Sequence, residues 1–278
     1  MRYSVILPAT MSGYGVPYKL CNFKLGKENW MEITLRFYGE LNDFLPPRLR
    51  QIEFTLMVHS RTSVKDAVES VKVPHTEVAL IQINGRMIDW NQRLSPNDRI
   101  AVYPSPYIIE WVNCSPVYLR PVEPLRFVLD VHLGRLAAYL RLLGFDCLYS
   151  SRDVKDQMLI ELALEENRIL LTMDRKMLMN KQLKWGRIIR SRDPIKQVEE
   201  VIERYRLRDK ADPFSRCMVC NERLSMADEN HFRRTAPECV KQTYTVDQLR
   251  QCDNCGRLYW QGSHWKRMTD MVRMWGVE

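Results

Sequence analysis

Long apolar runs are missing from this sequence. No stretch of about 18 or more apolar residues occurs, the length a helix needs to cross a bilayer. The opening MRYSVILPATMSGYG has an apolar run only from Val5 to Leu7 before Pro8, too short for the core of a secretion signal. A cytoplasmic protein with no membrane partner is therefore expected. Internal repeats and low-complexity tracts are also lacking, which sets solenoid arrays aside. Eight cysteines are present, but four stand in two close pairs. In a cytosolic chain that pattern reads as metal binding rather than as disulfides.

The net charge is +8. Residues 1–119 hold 13 Lys or Arg against 11 Asp or Glu, and residues 120–278 hold 29 against 23. Most of the excess thus sits in the second half. That fits an anionic partner such as nucleic acid, and it equally fits an ordinary solvated surface.

Residues 1–30 show no hydrophobic period and are expected to form a poorly ordered extension. From Met31 the pattern changes, and residues 31–105 read as one domain. MEITLRF alternates, and QIEFTLMV alternates with Ile52, Phe54, Leu56 and Val58 on one face. In SVKDAVESV, the residues Val64, Ala67, Val68 and Val71 recur at helical spacing behind a Ser63 cap. VALIQINGRMIDW reads as a hairpin around Asn84-Gly85, and NDRIAVYP closes the unit. Two hairpins around one helix resemble the β-grasp, ubiquitin-like fold, and VPHTEVALIQINGRMIDW looks like its small sulfur-carrier branch. That branch works through a C-terminal diglycine. Here the last strand ends AVYPSP, so a docking module with a protein partner is expected instead. His75 is expected in a turn or at the surface. Residues 106–124 form a Pro-rich linker, and the unpaired Cys114 there needs no function.

Residues 125–210 alternate strands and helices: RFVLD, HLGRLAAYLRLLG, FDCLYS, KDQMLIELALEEN, RILLT, DRKMLMNKQLKW, GRIIRS and DPIKQVEEVIERYRL. This order predicts an α/β domain of three layers around a parallel sheet. Asp130 ends the first strand, Asp174 follows the third, Asp193 follows the fourth, and Asp156 opens the second helix. In open parallel sheets the strand C-termini and helix N-termini share the edge where ligands bind. Carboxylates gathered there repel, and a hard divalent ion, Mg²⁺ or Mn²⁺, removes the conflict. Asp156 and Asp193 also suit plain helix caps. Asp146 and Asp153 read as solvated loop residues, and Glu161, Glu165 and Glu166 as an outer helix face.

CMVC supplies Cys217 and Cys220, and CDNC supplies Cys252 and Cys255, with 31 residues between the pairs. Each C-x-x-C places two thiolates on one side of a tight turn, and two such knuckles complete a closed tetrahedral Zn²⁺ site of structural type. Residues 211–278 therefore read as a zinc ribbon, with Cys239 a bystander. In its tail GRLYWQGSHWKRM, Tyr259, Trp260, His264 and Trp265 stand among basic residues. The aromatics suit either stacking on unpaired bases or covering the ribbon's own core.

RFVLDVHLGRLAAYLRLLGFDCLY, KDQMLIELALEENRILLTMDRKML and GRIIRSRDPIKQ closely resemble the RNase family named after the C-terminal domain of the nematode Mut-seven exonuclease. That family looks like a variant of the PIN-domain nucleases. The resemblance spans about residues 125–265, and fusion to a ubiquitin-like module is a known arrangement in the family. It implies a ribonuclease with Mg²⁺ or Mn²⁺ held by Asp130, Asp174 and Asp156, and with Asp193 as a fourth acid. Arg135, Arg141, Arg175, Lys176 and Arg190, with Thr172 and His264, form the expected substrate-binding set. The strip Lys181, Lys184, Arg187, Arg190 and Arg192 would hold RNA backbone without reading sequence. A non-catalytic RNA-binding protein is the competing expectation. A phosphatase using Asp130 as nucleophile needs a second aspartate two residues on, where His132 stands.

Overall fold

The computed structural model describes residues 29–104, 117, 120–150 and 155–277, divided into two compact units, Met1–Arg120 and Pro121–Glu278. Nearly all of the expected extension over 1–30, most of the 106–124 linker with Cys114, and Asp153 lie outside the described residues.

The first unit has strands β1 (Trp30–Phe37), β2 (Glu53–His59), β3 (Val78–Ile83), β4 (Arg86–Met87) and β5 (Arg99–Pro104), with helix α1 (Val64–Ser70) between β2 and β3. The sheet order is β2-β1-β5-β3-β4, and β1 runs antiparallel to β2 but parallel to β5. This is the expected β-grasp. Alternation drives it: Ile33, Leu35, Leu56 and Val102 are all buried, while their strand neighbours are not. Ser63 Oγ accepts from the Asp66 amide at 3.1 Å and starts α1. Asn84 and Gly85 both have positive φ, 50° and 83°, the two-residue turn that matches strand twist. One expectation fails here: Ile52 lies outside β2 and is 47 % exposed. His75 lies in a short 3-10 turn, where it is buried over the end of α1 with Nδ1 2.7 Å from Glu69 Oε1.

The second unit opens with β6 (Arg126–Leu129), α2 (Gly134–Leu142), β7 (Asp146–Tyr149), α3 (Asp156–Glu165), β8 (Ile169–Thr172), α4 (Arg175–Leu178), β9 (Gly186–Ile188) and α5 (Pro194–Tyr205). The four strands pair in parallel in the order β7-β6-β8-β9. Phe127 and Leu129 point into a core shared with α2 and α5, through Leu136, Ala137, Leu140, Val198, Val201 and Ile202. Val128, one residue out of phase, faces the other side, where α3 packs on β6 and buries Leu159, Ile160 and Ala163. Helices thus cover both faces. Gly144 stops α2 with φ +89°, and a Cβ there would meet the Asp212 carbonyl oxygen at 2.2 Å.

The expected helix over DRKMLMNKQLKW is a single turn. Asn180 accepts from the Gln182 amide at 3.0 Å in a local side-chain turn that competes with helix, and Leu183 then turns inward against Gly186.

The rest of the unit has strands β10 (Leu224–Met226), β11 (Arg250–Cys252) and β12 (Leu258–Tyr259), forming an antiparallel sheet in that order. Between the two cysteine pairs lie α6 (Glu229–Thr235) and α7 (Glu238–Thr243), which build a small core of Phe232, Ala236, Val240 and Leu249. Helix α8 (Ser263–Met274) then returns to the larger core, where Val272, Trp275 and Val277 join the α2 side. The Trp275 ring lies 5.3 Å from that of Tyr139.

Candidate active site and metal centre

Two neighbouring parallel strands place the first acids. β6 runs straight into Asp130, whose amide continues the pairing by donating to Leu171 O on β8. Asp130 is 4 % exposed. Its Oδ1 accepts from the His132 amide at 2.9 Å, and its Oδ2 accepts from Thr172 Oγ1 at 2.5 Å and the Met173 amide at 2.8 Å. Among the described residues it has no cationic partner. Burying a carboxylate with no countercharge is costly, so an arrangement of neutral donors around it suits a cation arriving from outside the chain.

Thr172 joins this acid to the next. Its hydroxyl donates to Asp130 and accepts from the Asp174 amide at 2.9 Å. Thr172 is fully buried, so it holds acids rather than substrate, in contrast to the expected substrate contact. Asp174 is exposed and caps α4, accepting from the Lys176 amide at 2.8 Å. Asp156 is the exposed first residue of α3, and Asp193 caps α5 through the Ile195 amide at 3.0 Å. Among the described residues, no three acids bring their oxygens as close together as the four thiols described below.

The basic residues separate into two kinds. Arg135, Arg175, Lys176, Lys181, Lys184 and Arg192 are exposed. Arg187 is buried and Arg190 half-buried, so the expected strip is not one continuous surface. β9 is buried along its whole length, Gly186, Arg187 and Ile188 alike, and Arg187 is buried with it. The loop carrying Arg190 is fixed from α5: Glu200 accepts from the Arg190 and Ser191 amides at 3.0 and 2.9 Å. Arg141 corrects the expectation most clearly. It is 5 % exposed, with Nε 2.9 Å from Cys147 O and Nη1 2.7 Å from Val219 O, so its charge is committed to backbone carbonyls. Asp146 is no loop residue either. It begins β7 and accepts from Arg168 at 2.7 Å and Asn221 Nδ2 at 2.8 Å. Glu166 is likewise paired, with Arg168 at 2.8 Å.

In the tail, Trp265 stacks on Phe214 with ring centroids 3.8 Å apart, and Trp260 packs on the small ribbon core. These aromatics are used inside the fold. His264 remains exposed on the first turn of α8, and Cys239 is exposed.

Cys217, Cys220, Cys252 and Cys255 converge, with all four sulfurs within 4.8 Å of one another. Cys217 and Cys255 are 3.6 Å apart, and Cys220 and Cys252 3.2 Å. Metal–sulfur bonds of about 2.3 Å in a tetrahedron put sulfurs about 3.8 Å apart, so the cluster fits one ion such as zinc. Burial raises the Cys217 thiol, but hydrogen bonds from Tyr259 and the Cys220 and Val219 amides outweigh it and bring it down to about 6. Burial pushes Cys252 up to about 12. A bound cation favours the thiolate form of its cysteine ligands.

A family model described as Mut7-C RNAse domain matches residues 125–272, and another described as Mut7-C ubiquitin matches residues 30–109. No curated protein and no solved structure matches the chain.

Proposed function

The chain belongs to the Mut7-C RNase family, and from that premise we propose that it hydrolyses RNA phosphodiester bonds at the rim formed by Asp130 and Asp174, using Mg²⁺ or Mn²⁺. The observation that carries this reading is Asp130 itself, a buried carboxylate surrounded by neutral donors and linked through one threonine to a second acid. Small hard cations are commonly held by one or two carboxylates and keep several waters, so the pair is a sufficient donor set. Asp156 and Asp193 are candidates for further contact, directly or through water.

When bound, such an ion supplies Lewis acidity to the phosphate and lowers the pKa of an attacking water. The chain's own residues do the rest. Three donors fix Asp130 in one orientation, and Thr172 keeps Asp174 in register with it. Arg135, Arg175 and Lys176 are exposed cations suited to phosphate contacts, with His264 a further candidate. These groups contact backbone and carry no base-reading geometry, so the substrate class is RNA without a defined sequence. The four cysteines hold structural zinc, and the ubiquitin-like unit serves as a docking module for a protein partner. The reading places the protein in the cytoplasm.

Cleavage of a labelled single-stranded RNA with Mn²⁺ tests the proposal. Cleavage should vanish with Asp130→Asn and with Asp174→Asn while RNA binding persists. Salt-sensitive binding without cleavage by the wild-type chain would overturn it in favour of an RNA-binding protein.

A further inference from the structure

The two cysteine knuckles make the same turn with different residues. The position after the second cysteine of each pair is left-handed: Gly256 at φ +70° and Asn221 at φ +73°. Each amide there returns to the first cysteine's carbonyl, Gly256 N to Cys252 O at 2.8 Å and Asn221 N to Cys217 O at 3.0 Å. Glycine is the unstrained residue for such a turn. The first knuckle carries asparagine, and its side chain has a separate task.

β7 is an edge strand, so the outward N–H and C=O of Cys147 have no strand to pair with. Asn221 Oδ1 accepts from the Cys147 amide at 2.9 Å, and Arg141 Nε donates to the Cys147 carbonyl at 2.9 Å. Both side chains are tied to the knuckle. Arg141 Nη1 donates to Met218 O at 3.2 Å and to Val219 O at 2.7 Å, the two residues between the cysteines. Asn221 Nδ2 donates to Asp146 at 2.8 Å, and Arg216 Nε donates to Gly144 O at 3.1 Å. Cys147, Arg141 and Asn221 are all buried. At its other end β7 reaches the acid rim, where Tyr149 Oη donates to Val131 O, next to Asp130, at 3.2 Å.

We propose that the first knuckle is a metal-dependent clamp on the open edge of the nuclease sheet, with Asn221 and Arg141 as the coupling residues. The clamp rests on the four cysteines taking a metal ion. The ion fixes the turn, and the turn aims the Met218 and Val219 carbonyls and the Asn221 amide at β7. Released thiols free the turn, Cys147 loses its outer partners, and a buried guanidinium loses two acceptors. Metal occupancy therefore sets the order of β7 and, through Tyr149, the support of the loop after Asp130.

The test is amide hydrogen exchange on the full chain, stripped by a chelator and then reloaded with Zn²⁺, with bound metal counted separately. Stripping should speed exchange at Cys147 at least about tenfold more than at β9, the opposite edge of the same sheet, and reloading should restore it. Asn221→Gly keeps the turn and all four thiols. It should bind the same amount of metal yet exchange Cys147 at the stripped rate. Metal uptake with unchanged Cys147 exchange, or equal loss at β7 and β9, overturns the clamp alone. No uptake overturns the metal reading and the clamp with it. Full protection of Cys147 in Asn221→Gly overturns the coupling role of Asn221.

Discussion

Thr172 Oγ1 lies 2.5 Å from Asp130 Oδ2 and accepts in turn from the Asp174 amide. One buried hydroxyl therefore orients the Asp130 carboxylate and anchors the backbone of Asp174, just beyond the ends of two adjacent strands. Thr172→Val removes both bonds while nearly conserving shape. Mn²⁺-dependent cleavage should fall about 10–100-fold, the usual cost of losing a group that orients a metal ligand. Thr172→Ser should recover most of it. Single-turnover cleavage beside a thermal melt separates this from simple destabilisation.

Asp130 and Asp193 look alike in sequence and differ in surroundings. Asp193→Ala should cost about 0.5–2 kcal/mol of stability through the lost cap of α5, with cleavage reduced far less than by loss of Asp130. Asp130→Asn should abolish cleavage. Urea denaturation and a cleavage assay on both variants give the comparison.

Arg141 and Lys176 should divide in the same way. Lys176→Ala should weaken RNA binding for every sequence and lower the slope of log affinity against log salt by about 1. Arg141→Ala should leave that slope unchanged. It strips the donor from the buried Cys147 carbonyl, a loss of about 1–3 kcal/mol when unsatisfied, so its effect appears in the unfolding midpoint.

Asp146 gives a pH signature. Burial favours its neutral form, but hydrogen bonds from Arg168 and Asn221 win and hold the carboxyl below its ordinary value. A lowered folded pKa means that the stabilisation is complete above the unfolded pKa of about 3.9 and is lost as pH falls through the folded pKa. In Asp146→Asn that part of the acid-side loss should be missing from a plot of stability against pH.

Trp275 tests whether the ribbon's last helix belongs to the nuclease core. It is 2 % exposed and packs near Tyr139. Trp275→Ala should cost about 3–5 kcal/mol in the second unit and leave RNA affinity unchanged below its melting point.

Local pattern was enough for much of this protein. Alternation in β1 and β2, the Asn84-Gly85 turn, the apolar face of α2 and the C-x-x-C spacing are short-range signals, because pleat, helix pitch and turn strain act over a few residues. The order of strands and helices likewise brought Asp130 and Asp174 to one end of a parallel sheet. What the sequence could not assign was the use of each polar side chain. Arg141, Asp146, Asn221 and Thr172 are ordinary polar residues in the chain. Their partners come from positions as far as 78 residues away, and burial decides whether a charge meets solvent, a carbonyl or another acid. Only the tertiary structure fixes that, since the cost of an unpaired polar group depends on what is packed around it.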